Sequence, residues 1–146
     1  MKSVVEVEID APHARVAELF ADPRTFPEWM EDVARIEPLG KTSPASPEPE
    51  YRLVPKKGNL AFVARVIRRE PPYRSRLAMR TPNTSVLMTG TFVKLSDHKT
   101  KLIAKNVFLF GGGLMSRLSG LLGWRAIRRA HRRHMESFKR FAEAHA

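Results

Sequence analysis

The side chains best suited to chemistry in this sequence sit on its last helix. At about 100° per residue, Trp124, Ile127, His131, His134, Met135, Phe138 and Ala142 share one face. That face is apolar except for its two imidazoles. A histidine there can donate to a ligand carbonyl or serve as an acid or base near neutral pH. A satisfied core or border residue is the commoner role for a histidine so placed. A metal held by His131 and His134 lacks a third ligand or carboxylate on the same stripe, so no metal is expected. Asn106 shares an alternating inward face with Leu102, Ala104, Phe108 and Phe110. A buried amide needs partners, and it either orients a bound polar group or bonds a neighbouring helix end. Tyr51 and Tyr73 complete the short set of polar candidates. No Gly-rich phosphate loop, nucleophile elbow or inward carboxylate pair accompanies them, so no catalytic set and no cofactor is assigned.

The same helix carries a second signal. From Gly111 onward there are eight basic residues against Glu136 and Glu143, a local charge of +6 within a total of +11. Arg125, Arg128, Arg129 and Arg132 lie on the side away from the apolar stripe. Leu114, Leu118, Leu121 and Leu122 precede them, and a bend between Gly120 and Gly123 would fold these leucines over the mouth of a pocket. An apolar lip beside arginines suits contact with an anionic membrane, through Leu118, Leu121, Leu122 and the four arginines. Phosphate recognition, by RNA or a ribosome, would use the arginines alone, and no exposed aromatic platform interleaves them. A solvated outer face accounts for the charge equally well, and a helix start that only plugs the pocket accounts for the leucines equally well.

The elements that position these residues follow from periodicity. Val5, Val7 and Ile9 alternate with Glu6 and Glu8, a half-buried strand over Lys2 to Ile9. A helix follows, capped by Asp10 or by the Ala11-Pro12 pair, with Val16, Leu19 and Phe20 inward. Ala21-Asp22-Pro23 stops it and opens a second short helix, Arg24 to Met30, bearing Phe26, Trp29 and Met30. Strands are expected at Val33 to Leu39, Tyr51 to Pro55, Leu60 to Arg69, Tyr73 to Arg80, Thr84 to Leu95 and Lys99 to Phe110, with the Pro-rich 41–49 as a hairpin loop. Their inward faces supply Met79, Met88, Phe92 and Phe108. Short connections favour antiparallel neighbours. Gly111-Gly112-Gly113 ends the sheet, and the long helix must cover its open face.

The 146 residues suit one α+β domain spanning 1–146. Hydrophobic residues at 42% are enough for a core. Without cysteine there is no disulfide, thiol nucleophile or thiolate metal site. The amino terminus alternates and carries no hydrophobic signal region, and no stretch has the length of a membrane span, so a cytoplasmic protein is expected. Nothing sets an oligomeric state.

The order of these pieces resembles the START-like superfamily, also called polyketide cyclase/dehydrase-like, SRPBCC or birch-pollen-allergen-like. Three passages carry the resemblance: Val5 to Pro12 followed by Val16, Leu19 and Phe20; Asp22-Pro23 through Phe26-Pro27-Glu28-Trp29-Met30; and Phe110 to Gly113 leading through the leucines into the last helix. The resemblance implies a helix-grip fold, a seven-stranded curved antiparallel sheet wrapped around the long carboxy-terminal helix with two short helices after the first strand. It implies a cavity between sheet and helix that takes a lipid, isoprenoid quinone or polyketide-like molecule. The cavity wall is then expected from Phe26, Trp29, Met30, Met79, Met88, Phe92, Asn106, Phe108, Trp124, Ile127, His131, Met135 and Phe138. Binding without catalysis is preferred. A cyclase or dehydrase, or a ribosome-associating or RNA-associating member, are the alternatives.

Overall fold

A computed structural model describes residues 1–40, 48–110 and 121–146, without the side chains of Phe110, Leu121 and Leu122. Seven strands form one sheet: β1 (Lys2–Ile9), β2 (Val33–Gly40), β3 (Glu50–Pro55), β4 (Phe62–Glu70), β5 (Arg74–Arg80), β6 (Thr84–Ser96) and β7 (Lys99–Phe110). The spatial order is β1-β7-β6-β5-β4-β3-β2, and each neighbouring pair is antiparallel. Helices α1 (His13–Phe20) and α2 (Phe26–Trp29) follow β1, and α3 (Leu121–Ala144) closes the chain. This is the expected α+β helix-grip architecture.

Alternation in β1 is complete: Ser3, Val5, Val7 and Ile9 are buried, and Lys2, Val4, Glu6 and Glu8 are exposed. Its register against β7 sets Ser3 beside Asn106, Val5 beside Ala104 and Val7 beside Leu102, so both strands turn the same face to the core. β6 continues that face with Val86, Met88, Gly90 and Phe92 opposite Phe108, Asn106, Ala104 and Leu102.

Local details decide between the two capping alternatives at α1 and correct the sequence reading in two other places. Pro12 stands at the amino-terminal cap of α1, which has no side-chain cap bond. Asp10 does not cap; its backbone N–H donates to Glu143 Oε2 at 2.9 Å and ties the β1–α1 turn to the end of α3. The expected helix Arg24 to Met30 is split into a 3₁₀ turn, Pro23–Thr25, and α2. Pro27 has no N–H to bond the carbonyl four residues back, so one continuous α-helix is broken there. Asp22 caps the 3₁₀ turn by accepting from the Arg24 backbone N–H at 3.0 Å. Gly123 lies inside α3 without interrupting it, whereas Gly120 lies outside the described residues, as do Gly111 to Gly113, Leu114 and Leu118.

Gly90 on β6 marks a close approach in the core. A Cβ there would meet the Phe20 ring at 2.8 Å. The missing side chain lets α1 lie on the sheet, and Phe20 fills the space. Phe20 packs edge-on to Phe92 and Phe138 at ring separations of 5.6 and 5.4 Å, while Trp29 meets Phe138 at 5.0 Å. Trp29 Nε1 donates to Thr25 Oγ1 at 3.0 Å, and that hydroxyl reaches the Asp22 carbonyl at 2.8 Å. The indole is therefore buried with its one polar group satisfied.

Candidate functional site: a cavity beneath the last helix

The carboxy-terminal half of α3 packs tightly on the sheet through Met135, Phe138, Phe141 and Ala142, all buried. Its preceding turns touch β1 through His131 and Ser3 but stand off the strands beyond it. Between Ile127, Ala130, His131 and His134 and the inner face of the sheet lies a cavity of about 430 Å³. Val33 of β2, Leu53 and Pro55 of β3, Phe62 of β4, Met79 of β5, Val86 of β6, and Asn106 and Phe108 of β7 form its floor. Met30 and Asp32 close it on the α2 side, and Lys57 and Leu60 of the β3–β4 connection complete the lining. Eleven of these sixteen residues are apolar, so the space favours an apolar occupant with few polar groups.

The five polar residues divide by depth. Asp32, its side chain 86% exposed, stands 3.6 Å from His134 Nε2, and Lys57 is exposed, so these three belong to the mouth. His131 is 3% exposed and belongs to the interior. Its Nδ1 lies 2.8 Å from Ser3 Oγ, also buried, and its Nε2 has no hydrogen-bond partner. Burial, aided by His134 and Arg132 nearby, pushes the His131 pKa down to about 4, so the ring is neutral at physiological pH. Burial also lowers the His134 pKa, against the opposing pull of Asp32 and Glu31. A neutral, buried imidazole brings no charge into the wall of an apolar space.

Of the thirteen residues expected at the cavity, the structure brings six together on its lining: Met30, Met79, Asn106, Phe108, Ile127 and His131. Phe26, Trp29, Met88, Phe92, Met135 and Phe138 lie instead in the solid core. The reason is the placement of α1 and α2, whose aromatic rings fill that half of the inner face. Trp124 is half-buried and meets the Phe108 ring edge-on at 6.4 Å, beyond the lining. Tyr51 and Tyr73 do not line the cavity. Among the lining residues not expected, Val86 shares the inward alternation of β6 and His134 the helix stripe. Asp32, Lys57 and Leu60 sit in connections, where no periodicity points to them. Ser3 is a further omission, since a serine on a strand gives no sign of the helix it will meet.

Arg125, Arg128, Arg129 and Arg132 are exposed and border a separate groove of about 320 Å³ with Val4 and Val5 of β1. Leu118 and the side chains of Leu121 and Leu122 lie outside the described residues. Among the described residues no group of three His, Asp or Glu side chains is placed to hold a metal. None of their helices is long and apolar enough to cross a membrane.

Solved structures share this fold over nearly their whole length. A protein of Thermus thermophilus superposes with a TM-score of 0.75 at 13% identity, covering 100% of this chain and 99% of the other. The aromatase/cyclase Zhui from Streptomyces sp. R1128 gives 0.75 at 14% identity, with 98% and 93% covered. A START superfamily protein from Mycobacterium smegmatis gives 0.68 at 13% identity, with 99% and 95% covered. At such identities the likeness is one of fold. No curated protein matches the sequence. Residues 1–143 match the family described as polyketide cyclase / dehydrase and lipid transport. Since that match takes in all seven strands and nearly all of α3, this chain belongs to the polyketide cyclase/dehydrase and lipid transport family.

Proposed function

We propose that this protein binds a small apolar molecule, of the lipid, isoprenoid quinone or polyketide kind, in the cavity beneath α3, and does so without transforming it. The observation that carries this reading is the cavity itself: about 430 Å³, lined by eleven apolar residues, with a neutral imidazole at its inner wall. That volume suits one small ligand. The family's description, which joins cyclase and dehydrase activity with lipid transport, supports the same class of occupant.

The test is native mass spectrometry of protein purified from its own cells, followed by organic extraction. A single co-purifying apolar species, lost when Ala130 on the cavity wall is enlarged by Ala130→Phe, is the expected result. Protein that emerges free of any such species, and takes up none from a total lipid extract, would sink the reading. A cyclase or dehydrase would instead yield two related species, differing by one water or by ring closure. The groove of exposed arginines is the surface that would meet an anionic partner. Flotation with anionic vesicles, set beside ribosome co-sedimentation over the same salt series, separates lipid from RNA, since phosphate contacts weaken steeply with salt.

A further inference from the structure

We infer that the open edge of β1 and the arginines of α3 form one docking groove for an acidic, extended peptide, which adds a strand to the sheet beside β1. The inference goes beyond ligand binding and stands whether or not the cavity is occupied. It commits the arginine groove to a protein partner.

Among the described residues β1 ends the sheet and pairs with β7 alone. An antiparallel strand points the N–H and C=O of alternate residues at its partner and those of the residues between away from it. Met1 bonds Phe108 with both groups: its nitrogen donates to the Phe108 carbonyl at 3.4 Å, and its carbonyl accepts from the Phe108 N–H at 2.8 Å. Ser3 and Val5 follow that parity, so Lys2, Val4 and Glu6 turn their backbone groups to the open side. Asp10 has the same outward parity, and there Glu143 of α3 takes the N–H at 2.9 Å. The backbone groups of Val4 and Glu6 have no such partner among the described residues.

The arginines stand beside that open stretch. Ser3 meets His131 and Asp10 meets Glu143, so α3 follows β1 in the same direction. Arg125, Arg128, Arg129 and Arg132 share one side of the helix and line the groove of about 320 Å³ with Val4 and Val5. Val4 lies on the outer face of the strand and Val5 on the inner, so a groove that touches both takes in the edge between them. Arg132 lies 3.7 Å from Glu136, but Arg125, Arg128 and Arg129 have no carboxylate partner among the described residues.

An extended acidic peptide satisfies both needs at once. Its main chain returns C=O and N–H to the edge, and every second side chain points to the α3 side. Carboxylates at alternate positions recur every 6.6–6.8 Å or so, near the helical pitch of about 5.4 Å, so successive acids meet successive turns of arginine. A phosphodiester chain would meet the arginines without matching the paired N–H and C=O of the edge, and lipid tails satisfy neither backbone group. A second copy pairing through its own β1 would bring a second set of arginines against the first.

Calorimetry with short peptides at fixed ionic strength tests the inference. One peptide alternates glutamate and valine; a control of the same composition groups its glutamates at one end. The alternating peptide should bind about tenfold more tightly. N-methylation of the amides along one of its edges should abolish binding, and along the other should leave affinity within about twofold. Hydrogen exchange at the Val4 and Glu6 N–H groups should slow by about tenfold or more in the complex. Arg125→Glu combined with Arg129→Glu, both exposed, should weaken binding by about a hundredfold. Val4→Pro removes an N–H that β7 does not use, so it should keep the fold and lose the peptide. If that variant fails to fold, the arginine pair and the methylated peptides carry the test. Equal binding of the two peptides, indifference to methylation on both edges, or unchanged exchange at Val4 and Glu6 would overturn the inference. So would tighter binding of a short single-stranded RNA or of phosphatidylglycerol vesicles than of the peptide. Each of these leaves the cavity reading intact, since that reading is decided by the co-purified ligand.

Discussion

Helix α3 meets the sheet in two ways along its length. Around Phe138 it is buried against rings from α1 and α2; around His131 it roofs the cavity. The sheet beneath alternates in the same manner in both regions, so the pattern of the strands does not account for the difference. What differs is a third layer. Phe20 and Trp29, carried by α1 and α2, fill the space at one end, and nothing equivalent among the described residues stands at the other. One half of the inner face is filled and the other is left open.

Each half should respond differently to substitution. Phe138→Ala ought to have the largest effect, a loss of about 3–5 kcal/mol in urea unfolding, because a fully buried ring is removed from a packed cluster. A pH effect comes next. The folded pKa of His131 lies at about 4, below its ordinary value of 6.5, so protonation favours the unfolded chain. The unfolded state takes up the proton first as pH falls, and stability is lost between pH 6.5 and about 4 and stays lost below. The loss is on the order of 3 kcal/mol. It should be absent from His131→Leu, which serves as the comparison because carboxylate protonation is common to both proteins.

Gly90→Ala should destabilise by about 1–3 kcal/mol, since the new methyl meets a Phe20 ring confined by Phe92 and Phe138. Ala130→Phe, placed over the cavity, should change stability by less than about 1 kcal/mol yet abolish ligand retention. Equal stability losses from Phe138→Ala and Ala130→Phe would erase the distinction between the two halves. A ligand-induced rise in Tm that persists in Ala130→Phe would move the binding site elsewhere.

Near the end of α3, Glu143 accepts from Lys139 at 2.7 Å and from the Asp10 backbone. The lysine hydrogen bond holds the Glu143 carboxyl below its usual pKa, with burial opposing and the Asp10 N–H assisting. Glu143→Gln should therefore give the smallest effect of the set, a loss within about 1 kcal/mol at neutral pH that fades in acid as the native carboxylate is itself protonated. Thermal unfolding of both proteins at the two pH values reads this out.

The strands and the faces of α3 were legible in the sequence because burial on one side imposes a period of two on a strand and about 3.6 on a helix. Val5, Val7 and Ile9 inward, Glu6 and Glu8 outward, and the arginines opposite Met135 and Phe138 all follow from that rule. Periodicity says which way a side chain points. It does not say whether the space it points into is filled. Phe92 and Met88 on β6 read like Val86 on the same strand, but only Val86 reaches the cavity.

By itself, then, the sequence determined the element order, the antiparallel sheet, the buried stripe of α3 and the basic face behind it. Each is a local consequence of alternation, turn chemistry or charge. Tertiary structure alone decided where the inner face stays open, that Ser3 holds His131, and that Asp32 and Lys57 reach the mouth. Those outcomes depend on how far one packed layer stands from another, and that distance is set by side chains far apart in the chain.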